Sequence, residues 1–248
     1  MTYLSLTSGW HIMNKLTLKP ILLAAALCAA GFSLHLAHAY SFDDGVALYE
    51  EQDFPEAAAA FLEAAEEGNA DAQFNLGLMY LNAEGVDEDY EQAFAWFSKS
   101  AEQNNPRAQT NLARMYAKGK GVRPDYDAAV TWFNKAAEQN YPDAQYSLGV
   151  LYVTGNGVPR DYNKARDLFQ KAADQGNASA QYQLGLMYFK GKGMEVNQVE
   201  GYKWMELAGD YSDAVVFREF AQQSMSAADV EKAAELAEEW KASLEENS

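Results

Sequence analysis

Nine residues set the frame for this chain. "AQFNLGLMY" at 72–80 returns as "AQTNLARMY" from 108, "AQYSLGVLY" from 144 and "AQYQLGLMY" from 180, each 36 residues after the last with no insertion or deletion. A fixed period of about 20–50 residues marks an array of like units, each unable to bury its apolar face alone, so that stacked neighbours supply the core. The chain divides into units 69–104, 105–140, 141–176 and 177–212. In every unit the fourth place is Ala, the fifth Gln, the eighth Leu and the twelfth Tyr. Places four, eight and twelve share one stripe of an α-helix. A second stripe follows at helical spacing, Tyr90, Ala93, Trp96, Phe97 and Ser100 in the first unit and Tyr126, Ala129, Trp132, Phe133 and Ala136 in the second. Each unit therefore reads as a helix pair, and its invariant places read as scaffold.

The caps agree with that reading. Asn69, Asn105 and Asn177 suit an N-cap, and Pro106 and Pro142 suit the first helical position. The second helices open on Asp89, Asp125, Asp161 and Asn197. Of the two glycines between the helices, the second (Gly85, Gly121, Gly157, Gly193) never varies, which predicts a positive φ. The first is replaced by Ala83 in unit one, which predicts a place tolerant of a Cβ. Gly77, Gly149 and Gly185 each cost about 0.8–1 kcal/mol in a helix interior, which is repaid only where two helix backbones approach closely; Ala113 leaves room there for one methyl.

Degenerate pairs flank the array. Residues 40–68 keep the helix pair with a shorter connection, and 213–248 form a C-terminal capping pair whose second helix opens on Ser226 and Asp229 in a capping-box-like arrangement. Terminal pairs are expected to turn a polar face outward. The expected fold is all-α: about twelve helices and no strands.

Residues 1–39 carry the order of a signal peptide: basic "MNKLTLK", apolar "ILLAAALCAAGF", then "AHA" before Tyr40, with Met13 as a possible true start. Export is the expectation, to the periplasm or outside the cell, with no stable membrane insertion after cleavage. His11, His35, His38 and Cys28 all lie in that segment, so the mature chain has neither imidazole nor thiol. This excludes His/Cys zinc sites, His acid–base chemistry, Cys nucleophiles and disulfides. Without Lys15 and Lys19 the 19 basic residues fall to 17 against 36 acids, a net charge of −19. Nucleic acid and anionic membranes are poor partners for such a surface. The run Asp87, Glu88, Asp89 lacks the alternation of a calcium loop. Gly119 and Gly121 are followed by no G-K-[ST] and preceded by no strand, so they form no phosphate loop. No cofactor or metal is expected.

The full pattern, A-Q-x-x-L-G-x-x-Y…G-x-G-V-x-x-D-Y-x-x-A…W-F…K-A-A, resembles the SEL-one-like repeat, a 36-residue relative of the tetratricopeptide repeat. The resemblance spans about 69–212, with degenerate copies on either side. It implies a right-handed α-solenoid serving as a protein-interaction or assembly scaffold, often exported in bacteria, and names no partner. Some cysteine-rich proteins of this appearance have been called β-lactamases or penicillin binders. This chain has no S-x-x-K, no K-T-G and none of the spaced cysteines, so a non-catalytic role is expected. A structural part of an envelope complex, or a restraint on a membrane sensor, is the alternative to an adaptor.

By analogy with tetratricopeptide arrays, the first helix of each pair lines a concave groove, and specificity belongs to its variable places. These give Phe74, Thr110, Tyr146 and Tyr182 at place six, Leu78, Arg114, Val150 and Leu186 at place ten, and Asn82, Lys118, Thr154 and Lys190 at place fourteen. Unit two alone is positive, at +3 between a first unit of −6 and a third of 0. Its Arg107, Arg114 and Lys118 share one helical face, with Asn111 as a neutral neighbour and Lys120 and Arg123 in the loop beyond. This face suits a carboxylate or acidic segment of a protein partner, with Tyr146 and Phe74 flanking it. Two alternatives stand beside it: the bases only offset acidic neighbours through exposed ion pairs worth about 0–1 kcal/mol, or the acidic N-terminal surface docks a basic partner.

Overall fold

The computed structural model describes residues 40–245; the leader predicted over 1–39 and its two candidate start sites lie outside them. Among the described residues there are twelve helices and no strand: α1 Phe42–Glu50, α2 Phe54–Glu66, α3 Ala70–Asn82, α4 Tyr90–Glu102, α5 Pro106–Lys118, α6 Tyr126–Glu138, α7 Pro142–Thr154, α8 Tyr162–Asp174, α9 Ala178–Lys190, α10 Gln198–Leu207, α11 Ser212–Gln222 and α12 Ala227–Glu245. From α1 to α10 each helix packs on the one before and the one after, which is the run of helix pairs of an α-solenoid.

Each unit is punctuated as its sequence predicts. The side chains of Asn69, Asn105 and Asn177 accept backbone N–H groups of the first turns of α3, α5 and α9. Tyr141 stands at that place before α7 and cannot do so, leaving Pro142 as the start signal. Asp89, Asp125, Asp161 and Asn197 cap α4, α6, α8 and α10. The same four residues close the loop by donating their backbone N–H to the carbonyls of Tyr80, Tyr116, Tyr152 and Tyr188 at 2.9–3.1 Å. An additional capping box, Ser41 with Asp44, starts α1.

The second loop glycine has φ near +70° in all four units. At Gly121 a Cβ would stand 2.0 Å from the Tyr90 carbonyl oxygen, because each loop rests on the first turn of the preceding unit's second helix. The first glycine's place departs from expectation. It too is left-handed, and Ala83 itself sits at φ +60°, so that place carries strain in unit one rather than tolerance. The helix-interior glycines also differ in cause. A Cβ on Gly77 or Gly149 would meet the ring of Phe97 or Phe169 at 2.7 and 2.6 Å, so the glycine admits an aromatic ring. Only at Gly185 does backbone approach backbone, with the Gly201 carbonyl oxygen 2.9 Å from such a Cβ.

The core is a chain of overlapping clusters. Ala72, Ala108, Ala144, Ala180 and Leu76, Leu112, Leu148, Leu184 are buried. The tyrosines at place twelve are half-buried, and Tyr80, Tyr116 and Tyr152 each touch two successive clusters, so they tie one unit's core to the next. At the C-terminal end α11 and α12 both pack on α10, the latter through Trp240 edge-on to Trp204. The outer face expected to be polar there is not wholly so: Val216 and Phe220 of α11 are 67 % and 64 % exposed.

Candidate interaction face

The variable places fall on the odd-numbered helices, and the structure gathers part of the expected set. Arg107, exposed in the first turn of α5, lays its guanidinium 4.1 Å from the centroid of the Phe74 ring. Phe74 itself is 3 % exposed and packs on Phe97, so it is a floor beneath Arg107 and not a contact surface for a partner. The cause is that it faces the following unit, in the core cluster it shares with Ala93, Phe97, Ala108 and Leu112. Asn111 spends its amide on the Arg107 carbonyl at 3.1 Å. One turn on, Arg114 reaches Asp143 of α7 at 3.6 Å, with both side chains about two-fifths exposed, at 39 % and 43 %. Lys118 is exposed in the last turn of α5. Lys120 departs from the expected cluster: its Nζ donates to the Tyr90 hydroxyl at 3.1 Å and lies over that ring.

Beyond Arg114 the face becomes aromatic. Tyr146 is half-buried, its ring 5.8 Å from Phe169, and Tyr182 lies 5.4 Å from Tyr211. Burial is the main cause that pushes the Tyr146 phenol above its ordinary value; Tyr211 and Asp213 add to the rise, and Arg114 opposes it. The Tyr182 phenol is raised for the same first reason, then by Asp213 and Tyr211. Burial and then Asp143 raise Tyr141, against Arg107 and Arg114. These couplings put Arg114, Tyr146, Tyr182, Tyr211 and Asp213 along one face spanning α5, α7, α9 and the start of α11. Leu78, Val150 and Leu186 are half-buried against the core clusters and add apolar edges. Lys190 is exposed at the end of α9, with no contact tying it to the arginines.

Tyr141, Tyr211 and Asp213 belong to this face and were not among the sequence-derived candidates. Tyr141 replaces the capping Asn of the other units, a visible departure from the repeat. Tyr211 occupies the place held by Gln103, Gln139 and Gln175 in the preceding units. Chemically, the face offers one loosely paired arginine, a second arginine stacked on a ring, and a row of phenols. It can hold an anionic group and an aromatic or amide surface beside it. Among the described residues no three His, Cys, Asp or Glu side chains are placed to hold a metal ion, and no helix is long and apolar enough to cross a membrane.

The Sel1 repeat matches residues 70–105, 106–141, 142–177 and 178–210. No curated protein matches the chain. Among solved structures, a protective antigen of uropathogenic Escherichia coli with an SLR fold superposes with a TM-score of 0.75 at 33% identity, over 80% of this chain and 44% of that one. The chain thus spans less than half the length of that protein. A Sel1 repeat protein from Oxalobacter formigenes gives a TM-score of 0.70 at 33% identity, over 79% of this chain and 84% of its own. A sel1 repeat protein from Klebsiella pneumoniae subsp. pneumoniae shares the fold, with a TM-score of 0.50 at 23% identity over 73% and 90% of the two chains.

Proposed function

The chain belongs to the Sel1 repeat family, a protein-interaction repeat fold, and from that premise we propose that it is a non-catalytic adaptor of the bacterial cell envelope. In this reading it is exported by the leader at 1–39, and it grips an acidic or carboxylate-bearing segment of a protein partner on the odd-helix face. The observation that carries the proposal is the Arg114–Asp143 pair. At 3.6 Å and two-fifths exposure it is a weak contact, worth about 0–1 kcal/mol. A partner carboxylate making a closer, bidentate contact displaces Asp143 at little cost. Tyr146 and Tyr141 stand beside it to pack on the partner's backbone and side chains, and Lys118 extends the positive strip.

Recovery of partners from envelope extract by the protein and by an Arg114→Glu/Lys118→Glu variant tests this. The variant is expected to lose the dominant partner; equal recovery ends the proposal. A second reading, a structural part of a larger envelope assembly, draws on the exposed Val216 and Phe220 of α11. In that case Phe220→Glu, and not the charge reversal, abolishes recovery.

A further inference from the structure

Place twenty-eight of the unit holds an indole three times, in Trp96, Trp132 and Trp204, and a leucine once, in Leu168 of unit three. In the other units the ring packs on the invariant Leu and Tyr of its own unit. Trp96 shares a cluster with Leu76 and Tyr80, Trp132 with Leu112 and Tyr116, and Trp204 with Leu184 and Tyr188. In unit three the shorter Leu168 leaves that position partly unfilled. A shallow, open notch of about 220 Å³ lies there, lined by Asn134, Leu148, Tyr152, Lys164, Asp167 and Leu168.

The unit has also kept the lid for a ring it does not supply. Lys99 sits 3.8 Å over Trp96 and Lys135 sits 3.9 Å over Trp132, each three residues after its indole. The equivalent lysine of unit three is Lys171, exposed in the last turn of α8. Among the described residues Lys171 is paired with neither a ring nor a carboxylate.

We propose that this notch docks one tryptophan side chain of a partner protein, presented by a segment that also carries an acidic residue. Shape argues for the indole, since the chain's own indoles fill the three equivalent places. Size argues for a single side chain, because sites for drug-sized ligands run to about 300–1,000 Å³. Charge argues for the acid. Lys164 lines the notch over the Tyr152 ring with no carboxylate partner among the described residues, and Lys171 follows Leu168 by three residues on the same helix, while Asp167 is held by Arg166 at 2.7 Å. The ring is recognised by packing and by the ammonium above it, not by its N–H, since Trp96 Nε1 and Trp204 Nε1 are buried without a hydrogen-bond partner. The inference rests on the protein-interaction reading but not on the face around Arg114.

Nuclear magnetic resonance of the isotope-labelled protein tests it, with acetyl-Glu-Trp-Glu-amide as probe and the peptide carrying Ala in place of Trp as control. The tryptophan peptide is expected to shift Leu148, Tyr152 and Leu168 saturably, and the control to leave them still. Leu168→Trp plugs the notch and is expected to abolish the shifts. Lys171→Gln is expected to weaken binding about twofold to fivefold, as loss of an exposed cation–π contact does. Equal shifts with the alanine peptide, or undiminished binding in a folded Leu168→Trp variant, overturn the proposal. If circular dichroism shows that variant unfolded, unchanged affinity in Lys171→Gln overturns it. Free indole binding as tightly as the peptide reassigns the notch to a small ligand and also overturns it. Arg114→Glu/Lys118→Glu is expected to leave peptide affinity unchanged, so the two proposals fail separately.

Discussion

The side-chain amide of Gln139, at the end of α6, donates to the side-chain oxygen of Gln109 in α5 at 2.8 Å. Gln109 in turn donates to the carbonyl of Ala101 at the end of α4, at 3.2 Å, and to the Asn104 side chain. One buried glutamine thus joins the last turn of its own unit to the last turn of the unit before. The device recurs as Gln103 to Gln73 to the Ala65 carbonyl, and as Gln175 to Gln145. Gln181 keeps the bond to the Ala173 carbonyl, but Tyr211 stands where its own glutamine partner would be. The link ends where the repeat ends.

Gln109→Leu fills the same space and removes all three bonds, while the Gln139 amide keeps the Asn104 side chain and the Lys135 carbonyl and the Ala101 carbonyl keeps the Asn104 N–H. The expected cost is about 1–3 kcal/mol, read as a fall in the melting midpoint of about 2–4 °C per kcal/mol. Gln139→Ala is expected to cost less, because Gln139 is exposed and water replaces it. Equal midpoints for Gln109→Leu and the parent protein would show that the link contributes nothing to stacking.

Gly149 lies against the buried ring of Phe169. Gly149→Leu forces α7 and α8 apart and is expected to destabilise by about 1–3 kcal/mol or more. Gly149→Ala is expected to cost far less, since a helix-interior alanine recovers about 0.8–1 kcal/mol of propensity and Ala113 is accommodated at the same place of unit two, beside Phe133. Chemical denaturation separates the two; a leucine variant as stable as the parent removes the steric account.

The scaffold is legible in the sequence because the features that build it repeat. A cap, a helical stripe or a left-handed glycine has a local signature, and four copies turn that signature into a pattern. What the sequence does not show depends on direction. Ala83 looked like evidence for spare room, yet it adopts a left-handed φ, because the turn imposes the conformation whatever residue occupies it. Gln73 and its counterparts were visible as invariant, but spacing alone says nothing of a carbonyl eight residues back. The interaction face was legible only in part. Arg107, Arg114 and Lys118 share a helix face by spacing, whereas Phe74 falls on the buried side of α3 and Lys120 turns to Tyr90. Tyr211 stands at place thirty-five of the fourth unit, where the earlier units carry Gln, and Asp213 lies in a helix beyond the regular period, so the repeat pattern holds no cue that they meet Tyr146.

Ala83 occupies the place that Gly119, Gly155 and Gly191 hold in the later units, all with positive φ. A left-handed alanine costs about 1–2 kcal/mol, and a glycine there gives back about 0.5–1 kcal/mol in the freedom of the unfolded chain. Ala83→Gly is therefore expected to stabilise by roughly 0.5–1 kcal/mol. A rise in the urea midpoint checks it, and a fall would show that the Ala83 methyl has packing value.

Tyr80 adds an alkaline sensitivity to its own part of the array. Burial first, and the nearby Asp89 second, push its phenol above the ordinary 10.0 in the folded chain. Between the unfolded and the raised folded value, the unfolded state has released a proton that the folded state retains. Stability from this group is complete below about pH 10 and drains away as pH rises through the folded value. Tyr80→Phe removes the titrating group and keeps the ring that bridges two core clusters. The variant is expected to show the same pH dependence as the parent near neutrality and a shallower loss above about pH 10. Urea unfolding at stepped pH reads the difference. Identical slopes in the alkaline range would mean that the Tyr80 hydroxyl stays solvated in the folded chain.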